Sequence, residues 1–255
     1  MFTKLYPNFK VLMDNLERGI LSYNVIQVSK KWQGQENPPD AFAEIMGLSF
    51  GFPLLTTIED MQEQIKPNLP WAEEHFMERI HGDPVNPGIT YKKWPYYRNI
   101  EEKGHRSENE KFTHTYMERY WPKFANKEGL HKQPHHGIRY DYGDLADVIS
   151  LLYSDKSTRQ AYLPIWFPED TGVVHGGRVP CSIGYHFYVR HNSLYVHYML
   201  RSCDIVRHFR DDMYLTNRLA FFIASKLGVV PGVLSVNISS LHCFESDLKI
   251  IGRGK

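Results

Sequence analysis

The run from residue 182 to 238 constrains the fold more than any other part of this chain. Ser182–Val189 (SIGYHFYV) and Leu194–Leu200 (LYVHYML) are β-branched and aromatic runs separated by Arg190-His191-Asn192-Ser193. That pattern predicts a β-hairpin closed by a four-residue turn. Asp211–Leu227 follows, with Leu215, Leu219, Phe222, Ile223 and Leu227 at helical spacing and Gly228 placed to stop the helix. Val233–Ile238 reads as a further strand that leads into Ser239-Ser240-Leu241-His242. Upstream, Tyr142–Tyr153 is a helix candidate and Ala161–Trp166 a short apolar strand. Mixed order of this kind predicts an α+β fold with a substantial sheet.

With 255 residues, 42% of them hydrophobic and 23% charged, the chain has ordinary globular composition and enough material to bury a core. No repeat and no Gly/Ser or Pro linker divides it, so one domain over 1–255 is expected. An irregular, partly helical excursion around 80–135 is punctuated by Pro84, Pro87, Pro95 and Pro122. Thirty basic residues against 29 acidic give a net charge of +1, which offers no bulk electrostatic case for nucleic-acid or membrane binding. No apolar stretch approaches a membrane span, and MFTKLYPNFKVL lacks a secretory h-region. Three cysteines without CxxC spacing make no disulfide framework and point to a reducing, cytoplasmic compartment.

Few residues stand out as chemistry. Cys181 opens the hairpin directly after Pro180, where a thiol can be held rigid and activated by neighbouring cations. A buried structural cysteine is the plainer alternative. Arg201-Ser202-Cys203-Asp204 ends the second strand, and a cation, a hydroxyl and a carboxylate there suit a phosphate and a polar ring; a solvated strand end would look the same. His131, His135 and His136 lie in a proline-interrupted loop without carboxylates at ligand spacing, so no metal is expected. Gly176-Gly177 has no P-loop or dinucleotide pattern around it.

Taken in order, these segments resemble the thymidylate synthase family from about Glu44 to Glu245. Gly51-Phe52-Pro53-Leu54-Leu55-Thr56-Thr57 resembles its GFPL-x-TT segment and Tyr142-Gly143 its YG element. Thr158-Arg159-Gln160-Ala161 with Ile165-Trp166 is similar to the strand that ends in tryptophan. Pro180-Cys181 resembles the nucleophile motif, Arg201-Ser202-Cys203-Asp204 the RS-x-D motif, and Ser240-Leu241-His242 the segment with the sugar-binding histidine.

The resemblance implies a mixed β-sheet with flanking helices and a homodimer formed through the sheet. It implies a pyrimidine nucleoside monophosphate as substrate and 5,10-methylenetetrahydrofolate as one-carbon donor. It implies no metal and no nucleic acid. Carried over by position, Cys181 would add to C6 of the pyrimidine, and Arg201 and Ser202 would hold the phosphate. Arg159 would join them from the neighbouring subunit. Asp204 would serve catalysis and the pterin's amino-pyrimidine edge. Trp94 would line the folate site, His242 would bind a sugar hydroxyl and Tyr142 the substrate. The general acid/base glutamate falls in Trp71-Ala72-Glu73-Glu74-His75-Phe76-Met77, with Glu73 favoured over Glu74.

The departures select within the family. Synthases acting on uracil place an asparagine eleven positions after the RS-x-D arginine, whereas this chain has Asp212. An ionised carboxylate only accepts, which suits the N4 amino group of cytosine and not O4 of uracil. Phe209-Arg210-Asp211-Asp212 and Glu44-Ile45-Met46-Gly47-Leu48-Ser49-Phe50 are similar to the FRND and EIIGASF segments of phage deoxycytidylate hydroxymethylases. Leu200 and Ser182 replace the glutamine and histidine of the synthases. The expectation is a (d)CMP 5-hydroxymethyltransferase of a phage-infected or bacterial cell. A thymidylate synthase or dUMP hydroxymethylase is the alternative, and an inactive nucleotide-binding relative a second. Phe244, where the family has a tyrosine on the sugar, leaves ribose against deoxyribose open.

Overall fold

The computed structural model describes residues 3–26, 41–96, 112, 114–125, 143–171 and 179–251. The chain opens with β1 (Lys4–Leu5), α1 (Phe9–Leu21), β2 (Val25–Ile26) and the long strand β3 (Phe42–Pro53). Helices α2 (Ile58–Ile65) and α3 (Trp71–Ile80) follow, then a 3₁₀ turn at Ile89–Lys93 and the short helices α4 (Tyr116–Tyr120) and α5 (Pro122–Ala125). The second half is α6 (Leu145–Ser154), β4 (Tyr162–Pro164), β5 (Ser182–Arg190), β6 (Ser193–Leu200), β7 (Cys203–Asp204), α7 (Phe209–Leu227), β8 (Val230–Phe244) and α8 (Glu245–Leu248).

These strands form one mixed sheet in the order β1-β3-β8-β6-β5-β4, with β2 against β3 and β7 against β8. β5 pairs antiparallel with β6, and β6 pairs parallel with β8, so α7 is the crossover that returns the chain. The α+β reading therefore holds. The hairpin is tighter than its sequence suggests: β5 ends at Arg190 and β6 begins at Ser193, leaving two linking residues. His191 and Asn192 take φ of 49° and 59°, the left-handed pair that matches strand twist in a two-residue hairpin. α7 begins at Phe209, two residues before the expected start at Asp211, because buried Phe209 belongs to its packed face. β8 runs on to Phe244, so His242 lies inside a strand and not after one. α6 spans Leu145–Ser154 and starts at a capping box, with Asp144 accepting from the Asp147 amide. β4 is shorter than the apolar run around it.

Local chemistry explains several element ends. Thr57, the second threonine of the GFPL-x-TT segment, caps α2 by accepting from the Asp60 amide at 3.1 Å. Gly228, at φ 63°, ends α7 in the left-handed conformation open to glycine at no steric cost. α7 is buried along most of its length and sits against the sheet. Phe209 at its start stacks on Phe9 of α1 with ring centroids 6.1 Å apart, and Phe50 of β3 tilts against it at 6.0 Å. This aromatic cluster fixes the first turn of α7 above the ends of β6 and β7, where the chemically distinctive residues collect.

Along β5 and β6 burial alternates strictly after the first residues. Tyr185, Phe187, Val189, Leu194, Val196, Tyr198 and Leu200 are buried, and His186, Tyr188, Tyr195, His197 and Met199 are only partly so. His186 lies opposite His197, and Tyr188 stacks on Tyr195 at 5.6 Å. The sheet thus has a core face and a second, half-exposed face rich in aromatic and histidine side chains.

Candidate active site

Cys181 stands immediately before β5 and Arg201 immediately after β6, so the hairpin brings them together; the Arg201 amide donates to the Cys181 carbonyl at 2.9 Å. The guanidinium then ties the segment down. Nε donates to the Pro180 carbonyl at 2.8 Å and Nη2 to the Val179 carbonyl at 3.0 Å. Nη2 also lies 3.9 Å from the Cys181 sulfur, and the Ser202 hydroxyl lies 3.7 Å from it. A thiol, a fixed guanidinium and a hydroxyl therefore share one corner. Cys181 is partly exposed, whereas Cys203 and Cys243 are buried.

Behind this corner lies a polar cluster of uncommon burial. The hydroxyl of Ser182 bonds the hydroxyls of Tyr116 (2.9 Å) and Tyr198 (2.6 Å), which links α4 to the base of the nucleophile strand. Arg79 of α3 is 4% exposed and lays its guanidinium over the Tyr116 ring at 4.1 Å. Among the described residues its Nε has no hydrogen-bond partner. Asp212, in the first turn of α7, accepts from the Cys203 thiol at 3.5 Å. Burial pushes the Asp212 carboxyl up to about 7, against the pull of Arg79 and with the help of neighbouring Asp211. Burial also drives the Cys203 thiol well above its usual range, with Asp212 adding to the effect. Asp211 is held separately, accepting from the backbone and side-chain nitrogens of Asn68 at 2.8 and 2.7 Å.

Asp204 and His242 form the next row. β7 and β8 pair in parallel with Asp204 opposite His242, and β3 places Glu44 opposite His242 on its other side. Asp204 Oδ1 accepts from the amides of Val206 and Arg207 at 2.9 and 3.0 Å. Its buried Oδ2 has no hydrogen-bond partner among the described residues, and burial raises its carboxyl above the usual range. Arg207 lies 3.7 Å from that oxygen but gives its closer contact, 2.7 Å, to Asp247. Burial pulls the His242 imidazole down to about 4, so it is neutral at physiological pH. Phe42 and Phe244 meet its ring edge-on at 6.0 and 5.5 Å. Trp94 is buried, stacked on His208 at 4.9 Å beside the start of α7, with Tyr96 edge-on at 5.4 Å.

Glu73 is held in an ion pair: Arg218 grips both its oxygens, at 2.8 and 2.6 Å, and Tyr214 donates to it at 2.6 Å. Burial works to raise its carboxyl, yet the bonds from Arg218 and Tyr214 outweigh that and hold it below the usual range. Glu74 points elsewhere and pairs with Lys93 at 2.6 Å. Cys203, within the Arg201-Ser202-Cys203-Asp204 motif, touches Asp212. Arg159 is exposed ahead of the edge strand β4, and its backbone carbonyl accepts from His186 Nε2 at 3.0 Å. No described hydrogen bond brings Arg159 to Cys181 or Arg201. Tyr142, Gly176-Gly177 and the histidines at 131, 135 and 136 lie outside the described residues. Among the described residues no group of three or more His, Cys, Asp and Glu could hold a metal ion, and no helix is long and apolar enough to cross a membrane.

Arg79, Tyr116 and Tyr198 carry no motif, and the sequence reading missed them. A signal for Arg79 existed: with Trp71, Ala72 and Phe76 it occupies the buried stripe of α3, where a charge is out of place unless it serves a site. Tyr116 follows Thr115, whose capping box with Glu118 is legible as T-x-x-E and marks the helix that presents the tyrosine.

Residues 46–253 match the family model described as Thymidylate synthase. A protein of Methanococcoides burtonii titled "Putative thymidylate synthase" is 31% identical over 101 residues, 39% of this chain and 45% of that one. Its namesake from Methanosarcina mazei is 30% identical over 105 residues, 41% of this chain and 47% of that one. The chain thus spans less than half the length of these curated relatives.

Proposed function

The chain belongs to the thymidylate synthase family, and from that premise we propose that it transfers a one-carbon unit to C5 of a cytidine monophosphate and releases a 5-hydroxymethyl product. The observation that carries the choice of base is Asp212, a carboxylate that meets the Cys203 thiol at 3.5 Å and stands at the position where uracil-reading relatives carry an amide. A carboxylate accepts from an amino group and opposes a carbonyl.

In this reading Cys181 adds to C6, which turns C5 into a carbon nucleophile. Arg201 and Ser202 receive the phosphate, and the guanidinium, already anchored to the backbone at 179 and 180, is oriented before the substrate arrives. Neutral His242 can donate to or accept from a sugar hydroxyl. The acceptor on Asp204 Oδ2, buried and unsatisfied, fits the donor-rich amino-pyrimidine edge of a folate, and Trp94 offers the adjoining aromatic wall. When bound, 5,10-methylenetetrahydrofolate supplies the one-carbon unit. Proton exchange passes from Glu73, which is fixed in its ion pair, to Asp212, whose carboxyl titrates near neutrality. The half-exposed sheet face with His186, Tyr188, Tyr195 and His197 suits a second copy of the chain, which would bring its Arg159 to the phosphate.

A second reading, thymidylate synthesis by methylation of dUMP, is favoured by the names of the curated relatives. The test incubates the full chain with methylenetetrahydrofolate and each of CMP, dCMP, UMP and dUMP, followed by mass spectrometry of the nucleotides. A hydroxymethyl gain on a cytidine nucleotide is expected. A methyl gain confined to dUMP overturns the proposal.

A further inference from the structure

Asp204 Oδ2 is buried and accepts no hydrogen bond among the described residues, although a guanidinium stands beside it. Arg207 Nε lies 3.7 Å from that oxygen and 2.7 Å from Asp247 Oδ2. Its single N–H is therefore given to Asp247 and withheld from Asp204. The other carboxylate oxygen of Asp204 is fixed by the amides of Val206 and Arg207 at 2.9 and 3.0 Å. The guanidinium is itself held in place, over the Phe244 ring at 4.9 Å and the Tyr96 ring at 5.9 Å. Asp247 belongs to α8, which follows β8 directly, and β8 sets His242 opposite Asp204.

We propose that Asp247 is a positioning residue for folate recognition: by holding the Arg207 guanidinium it keeps Asp204 Oδ2 open as the acceptor for the amino-pyrimidine edge. The inference rests on the folate-binding role given to Asp204 above. A carboxylate beside a guanidinium ordinarily closes to a charge-assisted bond of about 2.7–2.9 Å, and a buried acceptor left unmade is costly. Here the bond is within easy reach and is not made, because a second carboxylate takes the donor. Without Asp247 nothing else described competes for Arg207 Nε, and the guanidinium would close on Asp204 and occupy the oxygen that the ligand needs. Arg207 is thus a potential competitor of the folate, and Asp247 the group that keeps it away.

The test measures the dissociation constant of tetrahydrofolate by calorimetry at pH 8, with the accepted nucleotide saturating. This ligand lacks the one-carbon unit, so turnover does not enter. Asp247→Asn keeps the shape and drops the charge, so Arg207 should turn to the remaining carboxylate. Tetrahydrofolate should then bind about tenfold more weakly or worse, the worth of one charge-assisted bond. The nucleotide's own constant, measured without folate, should not move. Adding Arg207→Met to Asp247→Asn removes the competitor and should restore most of the lost affinity. Were Asp247 only a structural tie, the double variant would bind no better than the single one. That result overturns the inference, as does an unchanged constant in Asp247→Asn. Should Asp247→Asn not fold, Arg207→Met alone decides, since its stem can still pack on Phe244. It should bind tetrahydrofolate at least as tightly as the unaltered protein; weaker binding would make Arg207 an anchor for the folate and overturn the inference. Failure of tetrahydrofolate to bind the unaltered protein, with nucleotide still bound, removes the folate role of Asp204 and the inference with it.

Discussion

The Arg201 guanidinium is bonded to the backbone on the N-terminal side of Cys181 while its Nη2 lies 3.9 Å from the Cys181 sulfur. One side chain thus fixes the loop that carries the thiol and places a positive charge against it. The two carbonyl bonds use separate nitrogens of a planar fork, a geometry an ammonium cannot copy. Arg201→Lys, which keeps the charge, should therefore raise the KM for nucleotide by about ten- to a hundredfold. Steady-state kinetics with the accepted nucleotide checks this. An unchanged KM would remove Arg201 from phosphate binding.

The three thiols should differ sharply in reactivity. Cys203 and Cys243 are buried, and burial is the largest cause raising both thiols, Cys243 to about 12. Cys181 is partly exposed with Arg201 and Ser202 at its sulfur. Limited iodoacetamide treatment followed by peptide mass spectrometry should label Cys181 first, and bound nucleotide should slow that labelling. Equal labelling of the three, or no protection, counts against Cys181 as the nucleophile.

How far the sequence reached can be judged from these residues. The hairpin, α7 and β8 were legible because each has a clean period, and the hairpin alone brings Cys181 to Arg201. Asp204, Asp212 and His242 were singled out through motif order, and the structure sets Asp204 opposite His242. What pairs with what across elements was not. The Glu73 and Arg218 partnership joins residues 145 positions apart, and nothing in WAEEHFMERI distinguishes an ion-paired glutamate from a free one. The meeting of Cys203 with Asp212 depends on the first turn of α7 lying over β7. Phe209, Phe9 and Phe50 decide that by packing across three elements.

Acid should weaken the fold through two histidines. Burial is the main cause that pulls His75 and His242 each to about 4, with Arg79 adding to it at His75. In the unfolded chain both take a proton near pH 6.5. Between those values the unfolded state binds more protons, so stability is full above about pH 6.5 and declines as pH falls toward 4, by up to about 1.4 kcal/mol per pH unit for each histidine. His75 stacks on Trp71 at 4.9 Å, so His75→Phe retains the packing and removes one of the two protons. Urea unfolding from pH 7.5 to 4.5 should show a shallower decline in the variant. An identical slope would show that His75 is not held neutral.

Glu73→Gln separates an ion-pair anchor from a proton carrier. Arg218 is 6% exposed and its guanidinium is gripped by Glu73 through two bonds, so the amide would leave a buried cation without its counter-charge. Breaking such a pair from one side costs about 3 kcal/mol or more. Part of this would be recovered because Gln can still accept one bond from Arg218 and one from Tyr214. The expected outcome is a clear loss of unfolding free energy, with kcat within a few-fold of the unaltered enzyme at temperatures well below the melting transition. General acid/base catalysis contributes about a hundredfold or more, so the opposite result is easy to recognise. Unchanged stability with kcat down by that factor would return the proton-transfer role to Glu73 and take it from Asp212. Arg218→Met alongside it sharpens the reading, since loss of the guanidinium should destabilise the fold similarly and release the Glu73 carboxyl toward its ordinary range.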